Sequence, residues 1–139
     1  MNLYTMFKAD SKAEKEGVWL EYGDSADGKP VRIRVARAGG ANAQYAKRLE
    51  ALVKPHRRQI QTETIDAELV QKMLKHVYAE TIVLGWENVA DEAGNALPFS
   101  AANVVKLFND LPDLWLDVQE QAQRAALYRA DVLTAEAGN

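Results

Sequence analysis

The chain has 139 residues, of which 47% are hydrophobic and 27% are charged, and it contains no cysteine. This length fits one domain, which buries roughly two-thirds of the surface that its unfolded chain exposes. The absence of cysteine excludes disulfides, thiolate metal sites and thiol nucleophiles. The longest wholly apolar run, residues 82–86, is far shorter than the roughly 20 residues of a membrane span. Residues 1–15 also lack the apolar segment of a signal peptide, so we expect a cytoplasmic protein without membrane contact.

The net charge of −3 hides a strong segregation of charge along the sequence. Residues 29–58 contain nine Lys/Arg and one acidic residue, a balance of +8, whereas residues 59–139 contain five Lys/Arg and thirteen Asp/Glu, a balance of −8. Three explanations stay open: an acidic partner for the basic stretch, a head-to-tail fit between copies, and neutralisation of the two regions within one fold.

The first predicted elements are an arm and a β-hairpin. Residues 1–15 carry few large apolar side chains and predict a flexible N-terminal arm or a docking strand. Residues 17–37 predict a hairpin, because apolar and polar side chains alternate on both sides of Asp27-Gly28, where glycine supplies the positive φ of a tight turn. Two strands alone are marginal in water, so their apolar face must pack on helices or extend the sheet of another chain.

Four helices are predicted after the hairpin, at about 42–54, 66–86, 100–110 and 111–133. Each shows apolar residues at helical spacing, and Asn42, Asp66 and Ser100 are the expected N-caps of the first three. Residues 135–139 are expected to fray. The sequence thus predicts one α+β domain over residues 16–134 that is predominantly α-helical, with an N-terminal β-hairpin followed by about four helices.

No arrangement of residues points to catalysis or to a bound cofactor. The sequence has no Gly-x-Ser-x-Gly motif, and its two histidines, His56 and His76, do not have the spacing of metal ligands. Gly39-Gly40 is not followed by the Lys-Ser/Thr of a phosphate-binding loop. We therefore expect a non-enzymatic protein that needs no cofactor and no metal.

Seven residues are the candidate contacts with other molecules: Trp19, Tyr45, Trp115, Arg32, Arg34, Arg57 and Arg58. Trp19 lies on the hairpin face opposite the apolar one, where a helix or a partner must cover it. The spacing of Trp115 is more typical of packing, although the face of the last helix is also a candidate for client contact. Basic groups at this density can neutralise phosphates. A pI of about 5.4 and the lack of interleaved aromatic residues argue against nucleic acid and for a solvated face or an acidic protein partner.

A series of short motifs occupies the second half of the sequence. Residues 84–89 read Leu-Gly-Trp-Glu-Asn-Val, Gly94-Asn95 marks a turn, residues 97–100 read Leu-Pro-Phe-Ser, and residues 111–114 read Leu-Pro-Asp-Leu. With these motifs, residues 70–130 resemble the tail assembly chaperones of long-tailed, siphovirus-type bacteriophages. In that family a helix ends at the Gly-Trp pair, a turn follows, the Pro-aromatic-Ser/Thr motif caps the next helix, and a Pro-bearing start opens a long final helix.

The resemblance implies a protein that binds the tape measure protein, keeps its long hydrophobic helices soluble and helps gather the tail tube protein around it. It also implies self-association, a location in the host cytoplasm and absence from the finished virion, and it implies no catalytic residues. Two alternatives stay open. One is a structural tail-completion or neck protein of a phage, and the other is a nucleic-acid-binding regulator that uses the basic residues 29–58.

Overall fold

The computed structural model describes residues 2–130. In chain order its main elements are α1 (Leu3–Phe7), α2 (Ser11–Glu16), β1 (Val18–Asp24), β2 (Pro30–Val35), α3 (Ala43–Val53), α4 (Arg57–Gln61), α5 (Ala67–Thr81), β3 (Val83–Glu87), α6 (Ala101–Asp110) and α7 (Pro112–Ala122). Two 3-10 helices, Lys54–His56 and Ala125–Tyr128, complete the described chain. The predicted fold class, α+β with helix predominant, is confirmed. Across residues 2–130, no helix combines the length and apolar character that crossing a bilayer requires.

The predicted hairpin is formed by β1 and β2, which pair antiparallel with Val18 opposite Val35 and Leu20 opposite Ile33. Its turn is closed by the Ser25 amide, which donates to the Lys29 carbonyl at 2.7 Å, and Gly28 has the positive φ of 79° that the turn needs. Because side chains alternate across a strand, these apolar pairs share one face of the sheet and the intervening polar residues share the other.

A third strand, β3, replaces the end of a predicted helix. The prediction of one helix over 66–86 is wrong, since α5 ends at Thr81 and Val83–Glu87 pairs antiparallel with β2, with Trp86 opposite Ile33. The helix end at Gly85-Trp86 that the phage resemblance implied is corrected in the same way. A short apolar run with β-branched residues suits a buried strand as well as a buried helix, and only the exposed backbone groups of β2 decide between them.

The hydrophobic core lies between the inner face of the sheet and helices α5, α6 and α7. Ile33 and Val35 from the sheet pack there with residues from all three helices. Its largest fully buried side chains are Tyr78, Tyr128, Phe108, Ile82, Val35, Val77, Val104 and Val118. The hairpin therefore obtains the packing partner that a two-stranded element needs, and it does so within its own chain.

The predicted flexible arm or docking strand at residues 1–15 is corrected by the structure, which places helices α1 and α2 there. Asp10 caps α2 by accepting from the amides of Lys12 and Ala13. The Asp10 amide donates to the Tyr128 carbonyl at 2.7 Å, and Ala9 forms a bridge with Arg129. The segment that follows α1 is thus bound to the last described residues of the chain.

The predicted last helix, 111–133, is also shorter than expected, because α7 ends at Ala122. The Ala122 carbonyl accepts from the Ala38 amide at 2.9 Å, and the chain becomes extended at Arg124. This bend buries Tyr128, whose hydroxyl donates to the Val35 carbonyl at 3.1 Å. The rest of the predicted helix, 131–133, and the predicted frayed residues 135–139 lie outside the described residues.

Because Tyr78 and Tyr128 are buried, we expect the free energy of unfolding to fall at alkaline pH. Burial raises the pKa of Tyr78 to about 12, whereas a tyrosine in the unfolded chain titrates near pH 10. Between pH 10 and pH 12 the unfolded state releases the tyrosine proton, whereas the folded state keeps it. The contribution of this group to stability is therefore fully present below pH 10 and is lost as the pH rises toward 12. We expect Tyr78→Phe to make the free energy of unfolding fall less steeply between pH 9 and pH 11.5, as measured by urea denaturation. Tyr4→Phe, at an exposed ring, is the matched control, and equal slopes for Tyr78→Phe and wild type would contradict the prediction.

Candidate interaction surfaces

Trp19, Arg32 and Arg34 lie together on the outer face of the sheet. In the ladder Trp19 is opposite Arg34, and Arg32 is opposite Glu87. The guanidinium carbon of Arg32 is 4.6 Å from the centroid of the Trp19 ring, and that of Arg34 is 5.7 Å away. Both distances are within cation–π range, an interaction that contributes about 0.5–1 kcal/mol at an exposed site. Trp19 stays 39% exposed, so the structure brings three of the candidate residues together on one accessible face.

This outer face is open but almost neutral. Gly85 lies opposite Arg34, and a Cβ built on it meets no heavy atom within 4 Å. Arg32 donates from Nε to the Glu87 carboxylate at 3.1 Å, and Glu21 lies opposite Arg32 on the other side. Two acidic and two basic side chains therefore share the face, and its accessible centre is the Trp19 ring.

Tyr45 is a packing residue at the edge of the core. Its ring makes an edge-to-face contact with the buried ring of Tyr78, with centroids 5.9 Å apart, and it packs against the core cluster. Such a pair contributes about 0.5–1.5 kcal/mol beyond the area that it buries. The half-buried ring is thus committed to the fold, and the prediction of Tyr45 as a contact residue receives no support from its geometry.

Trp115 lies in the core, which corrects its prediction as a contact residue. It is 4% exposed, and its ring lies 5.0 Å from that of Tyr78 and 4.8 Å from that of Phe108. The indole nitrogen donates to the Gln71 side chain at 2.9 Å, as a buried indole requires. The helical stripe to which Trp115 belongs therefore faces inward, as its spacing indicated.

The basic stretch 29–58 is partly neutralised within the fold. Among the described residues, five of its nine cations form ion pairs: Lys29–Asp27, Arg32–Glu87, Arg37–Glu14, Arg48–Glu80 and Arg57–Glu50. Two of these pairs connect the basic stretch with the acidic half of the chain. Within residues 2–130, the cations of the stretch without an ion pair are Arg34, Lys47, Lys54 and Arg58.

Helix α1 presents an apolar surface that the sequence prediction did not include. Its four large apolar side chains are between 42% and 87% exposed: Leu3, Tyr4, Met6 and Phe7. The helix is capped by Asn2, whose side chain accepts from the Thr5 amide at 3.0 Å. The guanidinium carbon of Arg129 lies 4.9 Å from the centroid of the Phe7 ring. The signal in the sequence was the pair of N-cap residues, Asn2 and Asp10, each followed by a stretch free of Gly and Pro.

A second surface missed from the sequence is a groove of about 350 Å³ between α6 and the chain that follows β3. We call it the acidic groove. Its lining includes three leucines and three carboxylates: Leu97, Leu107, Leu111, Asp91, Glu92 and Asp110. Lys106 also lines it and donates to Asp110 at 2.8 Å. Three carboxylates against one ammonium group give the groove an excess of two negative charges. The pKa of Lys106 is raised by Asp110 and, to a smaller extent, by Glu92 and Asp91.

Comparison with models of protein families finds a match. Residues 40–139 match the family model described as YdaY prophage protein, which covers more than half of the chain. Comparison with curated proteins and with solved structures finds no match. The family match indicates a protein of phage origin.

Proposed function

The chain belongs to the YdaY prophage protein family, and from this premise we propose that it is a tail assembly chaperone. It binds the tape measure protein, keeps that protein soluble and helps recruit tail tube subunits during tail morphogenesis. The proposal combines the phage origin with the resemblance of residues 70–130 to such chaperones. In this proposal the protein acts in the host cytoplasm and leaves the growing tail before the virion is complete.

The observation that carries the proposal is the exposed apolar surface of α1. Four large side chains, on residues 3, 4, 6 and 7, are exposed on one short helix, whereas the other exposed large apolar side chains are spread over several elements of the fold. A contiguous exposed apolar patch marks an interaction site. Burial of the apolar stripe of a client helix against this patch yields about 25 cal/mol for each Å² removed from water. A chaperone that keeps long apolar helices soluble needs such a surface before its client arrives.

Helix α1 is also attached firmly enough to present its surface in one place. Directly after it, the Ala130 amide donates to the Lys8 carbonyl at 2.9 Å, and the Asp10 amide donates to the Tyr128 carbonyl. Tyr128 is itself fully buried. The patch therefore lies next to an anchored segment, so a client helix that docks on it loses less entropy than on a free arm.

We expect Tyr4→Ser/Phe7→Ser to lower the soluble yield of the tape measure protein at least severalfold. The measurement is co-expression with a phage tape measure protein, followed by pull-down and quantification of the soluble partner. Both substituted side chains are exposed, so the variant should fold as wild type does, within about 0.5 kcal/mol. Circular dichroism checks that the double variant is folded.

The matched control is Leu69→Ser/Leu116→Ser, which removes two exposed apolar side chains outside α1. If both double variants reduce the soluble partner equally, α1 has no special part in client binding. If co-expression of the wild-type chain does not raise the soluble yield of the tape measure protein, the chaperone proposal fails.

The two rival functions are separated by other measurements. A neck or tail-completion protein stays in purified virions, whereas a chaperone is missing from them. A nucleic-acid regulator needs free cations, and ion pairs occupy five of the nine cations of the basic stretch among the described residues. Its affinity would also fall steeply with salt.

A further inference from the structure

Charge is distributed unevenly between the two arginines on the outer face of the sheet. Arg32 lies opposite a glutamate on each of the neighbouring strands. Arg34 instead lies between Trp19 and Gly85. Within residues 2–130 Arg34 forms no ion pair, and its Nε is buried without a hydrogen-bond acceptor. Such a donor is rare, because it has lost its water without a replacement. Arg34 is therefore a cation that the fold leaves available.

Gly85 leaves open the place that Glu87 fills for Arg32. A Cβ built on Gly85 meets no heavy atom within 4 Å, so there is free space on this side of Arg34. The backbone of Gly85 does not have a positive φ, so its conformation does not require glycine. Glycine weakens the interior of a strand, where it marks a bulge or the close approach of a ligand or another chain. The ladder does have a bulge between Arg34 and Val35, but a bulge residue without a positive φ accepts a side chain.

The side chain of Arg34 is already held in one position on this face. Its stem passes close to Gly17, since a Cβ built there would lie 3.0 Å from the Arg34 Cγ. Its guanidinium carbon is 5.7 Å from the centroid of the exposed Trp19 ring. A cation that is held in place before its partner arrives loses little side-chain entropy on binding.

We propose that this face binds an extended acidic segment of a partner protein, with one carboxylate in the free space above Gly85 against the guanidinium of Arg34. An apolar side chain two residues along the segment packs on the Trp19 ring, because alternate residues of an extended chain point to the same side. A carboxylate matches the planar guanidinium and can accept two hydrogen bonds from it. The glutamates beside Arg32 repel a polyanion such as nucleic acid, so the charge of a single carboxylate fits better. The face belongs to other elements than the α1 surface and is independent of the chaperone proposal.

A pair of synthetic peptides tests the proposal: acetyl-Leu-Ser-Glu-Ser-Leu-amide and the same peptide with Gln in place of Glu. Nuclear magnetic resonance follows the indole N–H of Trp19 and the Nε–H of Arg34 as each peptide is added up to 5 mM. We expect the Glu peptide to bind about fivefold more tightly than the Gln peptide, because only its carboxylate makes charge-assisted hydrogen bonds. This preference should disappear in Arg34→Gln. The matched control, Arg58→Gln, removes an exposed cation outside the sheet and should keep it.

A second variant supplies the missing carboxylate from within the chain. In Gly85→Glu the new side chain occupies the space beside Arg34, so we expect the preference for the Glu peptide to be lost. Gly85→Ala leaves most of that space open and should bind as wild type does. Circular dichroism shows whether each variant is folded, and Gly85→Glu decides the matter if Arg34→Gln is not.

Three results would overturn the proposal. The first is a wild-type chain that does not bind the Glu peptide at 5 mM or binds both peptides equally. The second is an unchanged preference in Gly85→Glu, since its carboxylate should exclude that of the peptide. The third is an equal loss of preference in Arg34→Gln and Arg58→Gln, which would mean that the overall charge of the protein attracts the peptide and that the outer face of the sheet has no special part in binding.

Discussion

Trp115→Ala is expected to lower the free energy of unfolding by about 3–5 kcal/mol, the range for removal of a large aromatic side chain from a core. The ring is in contact with two other core rings, those of Tyr78 and Phe108. Alanine would leave a cavity between the sheet and three helices that the surrounding side chains cannot fill without leaving their rotamers. The Gln71 side chain, which loses its donor, is on an exposed residue and can bind water instead. Urea denaturation followed by circular dichroism measures the loss.

The matched control for this prediction is Trp19→Ala on the outer face of the sheet. Trp19 is half-exposed and contacts the two guanidinium groups, so its removal should cost only about 1 kcal/mol. Equal losses for the two tryptophans would mean that Trp115 does not hold the helices against the sheet. The comparison also tests the assignment of Trp19 as the tryptophan that is available to a partner.

Local signals in the sequence predicted the features that local interactions determine. Asn42, Asp66 and Ser100 each cap the helix that they were expected to cap, because a side-chain acceptor reaches amides two or three residues ahead whatever the tertiary fold. The hairpin could be predicted for the same reason, since its turn and its alternating strands lie within one short stretch of sequence.

Non-local pairing explains what the sequence did not reveal. Strand β3 is separated from β2 by three helices, and a buried apolar run does not say by itself whether its amides bond within a helix or to a distant strand. The end of α7 is set in the same way by Ala38, far away in sequence. For the candidate sites, alternation along the strand indicated that Trp19 lies on the face opposite the apolar one, whereas the acidic groove depends on the relative position of α6 and a loop.

The segregated charges show that composition alone does not decide how charged groups are used. A block of +8 next to a block of −8 left an external partner and neutralisation within one fold both open. The fold joins the two blocks internally through Arg32–Glu87 and Arg48–Glu80. Within residues 2–130, four cations of the basic stretch stay without an ion pair, and Lys54 and Arg58 are two of them.

Arg37→Met is expected to cost about 3–5 kcal/mol, because it leaves a buried charge without its partner. The Glu14 side chain is only 4% exposed, and its Oε2 accepts from Arg37 Nη1 at 2.6 Å. Its other oxygen accepts from the Ala41 amide at 3.3 Å, and the Arg37 amide donates to the Glu14 carbonyl. Glu14 thus connects α2 with the chain after β2. Methionine keeps most of the aliphatic bulk of arginine, so the loss reports on the charge and its hydrogen bond.

The double variant Glu14→Met/Arg37→Met decides between a charge effect and a packing effect. Replacing both members of a buried pair by apolar side chains of similar volume is often neutral, so we expect the double variant to recover most of the stability that Arg37→Met loses. The matched control is Arg57→Met, which breaks the exposed pair with Glu50 and should cost no more than about 1 kcal/mol. Urea denaturation of wild type, Glu14→Met, Arg37→Met and the double variant gives the coupling energy between residues 14 and 37. A coupling near zero would mean that the buried pair does not hold α2, and with it the base of the α1 surface, to the body of the protein.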